Sequence, residues 1–167
     1  MDIADTVRKS PLFKNLDENE IEEILNITRE QRFHKDDVIM QEGEEGDTMY
    51  MVLAGELGVS KTLTMKFGDD DYRKAEKVLT HLRAQDHVVF GEMALIGQDN
   101  RSASIVAKSD CILLEIKRED FMRLIESKAE LGVKVLLNLA GFLIDRLKQS
   151  SHDVIRLTTA LSIALSK

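Results

Sequence analysis

The sequence of 167 residues contains one cysteine, one proline and no tryptophan. A single cysteine, Cys111, cannot build a disulfide framework or, within one chain, a multi-cysteine zinc or iron–sulfur site. No apolar run approaches the ~18 residues that span a bilayer, and residues 1–5 are acidic where a signal peptide would be basic. These absences predict a cytoplasmic protein that neither crosses nor binds a membrane.

An excess of basic residues is also lacking. The chain has 23 Lys and Arg against 30 Asp and Glu, a formal net charge of −7. Because phosphate neutralisation needs a net or local excess of positive charge, this composition argues against a nucleic-acid reader. It does not exclude a small anion, since a nest of backbone N–H groups with one arginine can hold a phosphate inside an acidic protein.

Metal ligands and catalytic sets are missing as well. The four histidines, His34, His81, His87 and His152, follow neither the HxH nor the HExxH spacing. No set of nucleophile, base and orienting residue can be assembled from the spacing. We therefore expect a protein that is not an enzyme and holds no metal.

The apolar periodicity divides the chain into three regions. Residues 2–28 are predicted to be helical, with a capping box from Asp17 to Glu20 and with Pro11 separating two helices. Residues 29–117 contain short β-rich runs between glycines, which is typical of a sandwich or barrel. The predicted strands are 38–40, 49–53, 57–63, 78–82, 88–90, 104–106 and 112–116. Residues 67–71 are predicted to be the tip of a long hairpin.

The third region is predicted to be helical again, with one helix over 118–126 and a long one from about Glu130. Apolar positions of the long helix alternate at spacings of four and three residues, the seam of a two-stranded coiled coil. We expect a homodimer through the 130–166 helix, with Leu136 and Leu143 facing the barrel beside the seam. The alternative is a helix that packs entirely on its own barrel. The seam positions are Val133, Leu137, Ala140, Ile144, Leu147, Ser151, Val154, Thr158, Leu161 and Leu165.

One stretch, residues 90–103, has the parts of a site for a ribose-bearing anion. Gly91 lets the backbone approach a ligand closely, and a short helical turn after it would present free N–H groups. Glu92 can accept a hydrogen bond from a sugar hydroxyl. Arg101, nine residues later, is a planar cation suited to phosphate oxygens. From these residues alone, a structural ion pair remains the simpler interpretation.

Residue for residue, the runs Phe90-Gly91-Glu92-Met93-Ala94-Leu95 and Arg101-Ser102-Ala103 resemble the phosphate-binding cassette of the cyclic-nucleotide-binding domain family. The resemblance extends to residues 43–50 and Gly55, and covers about residues 10–150. It implies a mainly β fold with flanking helices: a double-stranded β-helix, or antiparallel jelly-roll-like β-roll, followed by a long C-terminal dimerisation helix. We divide the chain accordingly into a β-roll with N-terminal helices, residues 1–128, and the helix, residues 129–167.

The resemblance also implies a role for each matched position. Glu92 would accept from the ribose 2′-hydroxyl, Arg101 would pair with the exocyclic phosphate oxygens, and Ser102 would add a hydroxyl contact. Backbone positions that complete the phosphate cradle would be Gly91, Met93, Ala94 and Ala103. Asn100 stands where a proline often precedes the Arg, a departure that removes no ligand contact.

Residues 146–154 resemble the middle of the dimer helix in proteins of the catabolite activator type. There a Thr-Ser pair reaches the adenine, partly from the partner subunit, and Ser150 and Ser151 stand at those positions. The plainer interpretation is that both are polar seam residues. A hydroxyl after the Arg, here Ser102, can also support guanine recognition. The expected ligand is cyclic AMP, with cyclic GMP as the alternative.

The function implied is that of a non-enzymatic cyclic-nucleotide sensor that transmits binding through its C-terminal helix to a downstream protein partner. The chain stops at Lys167 without a basic recognition helix, so we expect no DNA binding by this chain alone. It would then act through a partner or be the effector part of a longer, cyclic-AMP-dependent transcription regulator. A β-roll interaction module that has lost nucleotide binding is the alternative from a different class.

Overall fold

The computed structural model of the protein describes residues 3–66, 72–97 and 100–166. Within these ranges the chain forms four α-helices and eight β-strands. The helices are α1 (Ile3–Lys9), α2 (Glu18–Asn26), α3 (Arg118–Ser127) and α4 (Ala129–Leu165). The strands are β1 (Thr28–Phe33), β2 (Val38–Met40), β3 (Thr48–Ala54), β4 (Glu56–Lys66), β5 (Tyr72–Arg83), β6 (Val89–Phe90), β7 (Ser104–Ala107) and β8 (Cys111–Lys117). The predicted hairpin tip, residues 67–71, lies outside the described residues.

The strands form two antiparallel four-stranded sheets, in the orders β1-β8-β3-β6 and β2-β7-β4-β5. Both sheets contribute to one apolar core, as a double-layered roll requires. Buried members of this core are Met40, Tyr50, Leu57, Phe90, Ile105 and Leu113. The predicted mainly β fold, an antiparallel β-roll with a long C-terminal helix, is confirmed.

The helices cover the outer face of the β1-β8-β3-β6 sheet. Strand β3 is buried along nearly its whole length, so its sequence is an apolar run without alternation. A second core lies between this sheet and the helices, and its members include Val7, Ile21, Ile24, Met49, Met51, Ile116, Phe121 and Val135. Each such side chain contributes ~1.5–3 kcal/mol by burial, which fixes the helices on the roll.

Local signals in the sequence account for the start of α2. The Asp17 carboxylate accepts from the Glu20 backbone N–H at 2.9 Å, and the Glu20 carboxylate accepts from the Asp17 N–H at 2.9 Å. The predicted capping box is therefore confirmed. Such a box satisfies two N–H groups that the first turn of a helix leaves free.

Strand β1 was not among the predicted strands. It lies at the edge of its sheet, paired with β8, and most of its side chains are partly or fully exposed. Its sequence, from Thr28 to Phe33, is almost wholly polar. An exposed edge strand carries little apolar alternation, so the pattern that identifies the other strands is weak here.

Only the first half of α4 packs on the rest of the molecule. Leu131, Val135 and Leu139 are 4%, 1% and 4% exposed. The prediction that Leu136 and Leu143 face the roll is wrong, since 38% and 37% of their surfaces are exposed. Each residue step turns ~100° around a helix, which places Leu136 at the margin of the buried stripe rather than in it.

The predicted seam of α4 is exposed, so the helix does not pack entirely on its own roll. More than half of the surface is exposed at Val133, Leu137, Ile144, Leu147, Val154, Leu161 and Leu165. An exposed seam agrees with the coiled-coil interpretation, and the homodimer itself stays a prediction. Helices α3 and α4 meet at Lys128, but the division into two domains there remains an interpretation. No helix among the described residues has the length and apolar composition needed to span a bilayer.

Candidate functional site

The structure brings the seven residues predicted from the cassette together around one cavity of about 280 Å³. This volume is close to the lower end of the ~300–1,000 Å³ range of small-molecule sites. The strands supply a largely apolar wall: Met40, Val59, Thr80, Leu82, Phe90 and Ile105. The rest of the lining consists of Gly91, Glu92, Met93, Ala94, Asn100, Arg101, Ser102, Ala103 and, from α4, Arg146.

Gly91 makes the sharp connection from β6 into a 3₁₀ turn, Glu92–Leu95. Its φ is +74°, in the left-handed region, and a Cβ here would lie 2.5 Å from the Met40 Cε and 2.8 Å from the Thr48 carbonyl oxygen. Only glycine fits this position without strain or displacement. The turn carries Glu92 directly into the cavity.

Glu92 is the most deeply buried carboxylate of the site, with 2% of its surface exposed. Arg146 of α4 donates from Nη1 to the Glu92 Oε1 at 2.9 Å and from Nη2 to the Val89 carbonyl oxygen at 3.0 Å. Its guanidinium lies 4.5 Å from the centre of the Phe142 ring. A buried carboxylate needs a partner, and Arg146 supplies it. In the described part of the chain, Arg146 is the only side chain hydrogen-bonded to the Glu92 carboxylate. The Oε2 atom can therefore accept from a ligand hydroxyl.

Arg101 lies on the same cavity and is held by one residue of β3. Its Nη1 donates to the Thr48 carbonyl oxygen at 2.8 Å, and its Nη2 donates to the Thr48 Oγ1 at 2.7 Å. Burial lowers the pKa of Arg101, yet an arginine stays charged at neutral pH. These bonds use two of the five guanidinium N–H groups, which leaves N–H groups for an anion; a guanidinium meets one anion through at most two parallel N–H groups.

The other predicted residues of the cassette differ in what they can offer. Met93 is 52% exposed, and Ser102 is exposed at the rim of the cavity. The Ala94 N–H donates to the Gly91 carbonyl oxygen at 3.1 Å, so this amide already has an acceptor. The roles of these residues in ligand binding stay predictions.

Ser150 and Ser151 are not brought to this cavity. Both are exposed on α4, beyond Arg146, and the Ser151 hydroxyl donates to the Leu147 carbonyl oxygen at 2.9 Å. A contact with the base from a partner subunit stays a prediction. The described residues also contain no group of three or more His, Cys, Asp or Glu arranged to hold a metal ion.

Three residues at the site were missed from the sequence. Arg146 could have been found from the sequence, because it follows Leu139 and Phe142 at helical spacing on the buried face of α4. A charged residue on an apolar helix face indicates that it has a partner in the protein. Thr48 offered no such signal, since it lies 53 residues from Arg101 in the chain. Gly46 lies in the stretch 43–50 that carries the resemblance but had no predicted role at the site, and a Cβ there would overlap the Arg101 guanidinium.

Comparisons with known proteins agree with this architecture. The family model described as "Cyclic nucleotide-binding domain" matches residues 30–128. The chain is 32% identical to human (Homo sapiens) cGMP-dependent protein kinase 2 over 126 residues, which are 75% of this chain and 15% of the kinase. It is 31% identical to the cyclic AMP receptor protein of Thermus thermophilus over 148 residues, 89% of this chain and 62% of that protein. The chain thus spans less than two thirds of either relative.

A solved structure supports the same grouping. The crystal structure of a cyclic nucleotide-binding domain from Methylobacillus flagellatus matches with a TM-score of 0.75 at 25% identity. The match covers 92% of this chain and 80% of that one. The match therefore includes most of the roll and of the helices described above.

Proposed function

The chain belongs to the cyclic nucleotide-binding domain family, and on this premise we propose that it is a non-enzymatic cytoplasmic sensor of a cyclic nucleotide. The observation that carries the proposal is the presence of Glu92 and Arg101 on one cavity. Glu92 offers an acceptor for a sugar hydroxyl, and Arg101 offers its remaining guanidinium N–H groups to a phosphate. The apolar wall of strands would receive the base.

Cyclic AMP is the proposed ligand, with cyclic GMP as the alternative. Ser150 and Ser151 favour adenine by the resemblance given above. Ser102, at the rim of the cavity, is the feature that favours guanine.

Nucleotide binding in the cavity would be transmitted to α4 through Arg146. This side chain joins α4 to Glu92, the residue that we assign to the ribose, so ligand binding and the docking of α4 share one contact. A ligand that interacts better with the docked arrangement shifts the population toward it. The signal would then leave through the exposed seam of α4, by way of a homodimer and a downstream protein partner.

Titration calorimetry on the nucleotide-stripped protein tests the proposal. We expect cyclic AMP to bind at micromolar strength or tighter, and Arg101→Ala to weaken binding by about 10-fold or more, because charge-assisted hydrogen bonds contribute ~1.5–3 kcal/mol. The matched control is Arg83→Ala, which removes an exposed arginine of β5 that pairs with Glu56 outside the cavity. Cyclic GMP titrated in parallel identifies the base. If neither nucleotide gives heat or raises the melting temperature, the interaction-module alternative is favoured instead.

A further inference from the structure

The strand that follows the cassette pairs with only part of its neighbour. In the second sheet, β7 pairs with β4 from Ala107 opposite Leu57 to Ser104 opposite Ser60, although β4 continues to Lys66. Residues 101–103 of the cassette directly precede β7 in the chain. Whatever stops the pairing at Ser104 therefore decides the conformation of residues that we assign to the phosphate.

The register identifies the pair of residues that would come next. In an antiparallel ladder, every second pair of opposite residues exchanges backbone hydrogen bonds. The Lys108 N–H donates to the Glu56 carbonyl oxygen at 2.8 Å, so the even-numbered residues of β4 form the bonds on this edge. Continued at the same register, the ladder would make Thr62 and Ser102 the next bonded pair. The Thr62 N–H would then donate to the Ser102 carbonyl oxygen.

A side chain accepts this hydrogen bond instead. The Thr62 N–H donates to the Glu42 Oε2 at 2.8 Å. Glu42 follows β2, which lies on the far side of β7 from β4, so its carboxylate reaches past the end of β7 to the edge of β4. Its side chain is 23% exposed, and the Lys61 Nζ lies 4.0 Å from its Oε1. The Glu42 carboxylate thus fills the position on β4 that the backbone of Ser102 would occupy in a longer sheet.

The backbone around Glu42 holds both ends of the cassette segment. The Glu42 N–H donates at 3.0 Å to the Oγ of Ser104, which is only 5% exposed. The Gly43 N–H donates to the Arg101 carbonyl oxygen at 2.9 Å, and the Arg101 N–H donates to the Glu44 carbonyl oxygen at 2.7 Å. Residues 101 and 104 are therefore both fixed to the segment 42–44, and the pairing of β7 with β4 begins only after the two residues between them.

Further pairing with β4 would compete with ligand binding. A strand pairs through its backbone N–H and C=O groups, and the backbone of Ala103 is part of the phosphate cradle that the resemblance implies. At the same register, Arg101 would stand opposite Leu63 of β4. Its guanidinium is instead held by Thr48 of β3, a strand of the other sheet. The Glu42 carboxylate at the edge of β4 and a paired cassette therefore exclude one another.

We propose that Glu42 is a positioning residue for the cassette: its carboxylate occupies the edge of β4 and thereby keeps residues 101–103 in the conformation that binds a phosphate. This inference rests on the proposed function, in which Arg101 and the backbone beside it meet the phosphate of a cyclic nucleotide. A competing paired state would lower the apparent affinity in proportion to the fraction of molecules in it. A purely structural role would stabilise the loop without excluding such a state.

The first experiment measures cyclic AMP affinity in variants of Glu42. We expect Glu42→Ala to weaken binding by about threefold to tenfold, because the freed Thr62 N–H can pair with Ser102. The loss of a negative charge would by itself favour an anion, so weaker binding is not an effect of charge. Glu42→Gln keeps an acceptor oxygen and should bind within about twofold of the wild type. The matched control is Asp110→Ala, which removes a carboxylate that accepts from the Lys35 N–H at 3.1 Å immediately before β8.

A double-mutant cycle then distinguishes positioning from stability. Thr62→Pro removes the N–H that both Glu42 and the competing pairing need, at a place on the edge of β4 that β7 does not reach and that tolerates proline. If Glu42 acts by excluding that pairing, Thr62→Pro should bind cyclic AMP as the wild type does, and Glu42→Ala should have little effect in this background. Equal losses of affinity in Thr62→Pro and Glu42→Ala would overturn the proposal, as would unchanged affinity in Glu42→Ala.

A third measurement needs no nucleotide. The Cα atoms of a non-hydrogen-bonded antiparallel pair are only ~4.5 Å apart, close enough for a strong nuclear Overhauser effect between the two α-protons. Continued pairing would make Lys61 and Ala103 such a pair, so we expect this signal in Glu42→Ala and not in the wild type. The signal in the wild type, or no signal in Glu42→Ala, would contradict the positioning role. If the wild type binds neither cyclic nucleotide, the proposed function fails, and this measurement still decides whether Glu42 keeps the cassette off β4.

Discussion

At the scale of single residues, the position of Arg101 depends on two glycines as much as on its hydrogen bonds. A Cβ at Gly46 would overlap the guanidinium, and one at Gly91 would lie 2.9 Å from the Arg101 Nη1. Thr48 also holds the guanidinium: its carbonyl oxygen accepts from the Arg101 Nη1 at 2.8 Å and its Oγ1 accepts from the Nη2 at 2.7 Å. The guanidinium therefore occupies a narrow slot, which is open only because Gly46 and Gly91 have no side chains.

Gly46→Ala tests this slot. The clashing atoms are the far end of a flexible side chain, so Arg101 can move aside and we expect a small loss of melting temperature. Because the displaced guanidinium no longer meets the phosphate, cyclic AMP affinity should fall by about 10-fold. Gly141→Ala, on α4 with open space around it, is the control and should leave affinity unchanged. Wild-type affinity in Gly46→Ala would show that the slot is not needed.

The sequence could predict only the part of the site that is contiguous in the chain. Residues 91–103 carry both predicted ligand groups, and the resemblance of this stretch to the phosphate-binding cassette implied the roles of Glu92 and Arg101. The partners of these groups come from β3 and α4, 53 and 54 residues away. A hydroxyl in a strand or an arginine in a helix does not indicate which distant residue it will meet, because the fold alone brings them together.

At the scale of secondary structure, α4 has two halves with different surroundings, and Arg146 lies where they join. The half before it buries an apolar stripe against the other helices, and the half after it is exposed. Arg146 itself is 47% exposed in its side chain while Glu92 is 3% exposed. In this ion pair, Glu92 is therefore shielded from solvent and Arg146 is only half shielded.

Arg146→Met should destabilise the fold by leaving the Glu92 carboxylate without its partner. Breaking a fully buried pair costs ~3–5 kcal/mol, and since Arg146 is half exposed we expect about 1–2 kcal/mol in the free energy of unfolding. Urea unfolding measures this loss. Arg156→Met is the control, because Arg156 forms a longer, exposed pair with Asp153 on the same helix. Equal effects of both variants would contradict a structural role for the Arg146–Glu92 pair.

The sequence pattern predicted the elements correctly where apolar residues mark the buried surface of a helix or strand. The capping box, the apolar strands and the long C-terminal helix followed from local signals. Strand β1 did not, because an exposed edge carries little alternation, and the faces of α4 were partly misassigned. Two apolar stripes lie side by side on that helix, and spacing alone does not say which one meets the roll.

At the scale of the whole molecule, the exposed seam of α4 favours a second copy of the chain as its partner. The apolar positions continue at coiled-coil spacing past the end of the roll, as far as Leu165. A helix of ~55 Å, at 1.5 Å per residue, extends well beyond what one roll can cover. Self-association along the seam would bury these side chains and connect two nucleotide sites.

A matched pair of substitutions tests the seam. Leu161 lies on it and Ile163 lies off it, yet their exposed fractions, 60% and 61%, are almost equal. We expect the wild type to sediment as a dimer, Leu161→Glu to shift toward monomer because a charge enters the apolar seam, and Ile163→Glu to stay dimeric. Analytical ultracentrifugation gives the mass directly. A monomeric wild type, or equal disruption by both variants, would be inconsistent with the seam.

The central claim is that Glu92 binds the ribose of a cyclic nucleotide whose phosphate is held at Arg101. The most direct test compares the affinities of cyclic AMP and 2′-deoxy cyclic AMP for the wild type and for Glu92→Gln. Loss of a hydrogen bond to a charged group should make the deoxy ligand about 10-fold weaker in the wild type. In Glu92→Gln the difference between the two ligands should largely disappear. Equal affinities in the wild type, or the same 2′-hydroxyl preference in both proteins, would contradict the account.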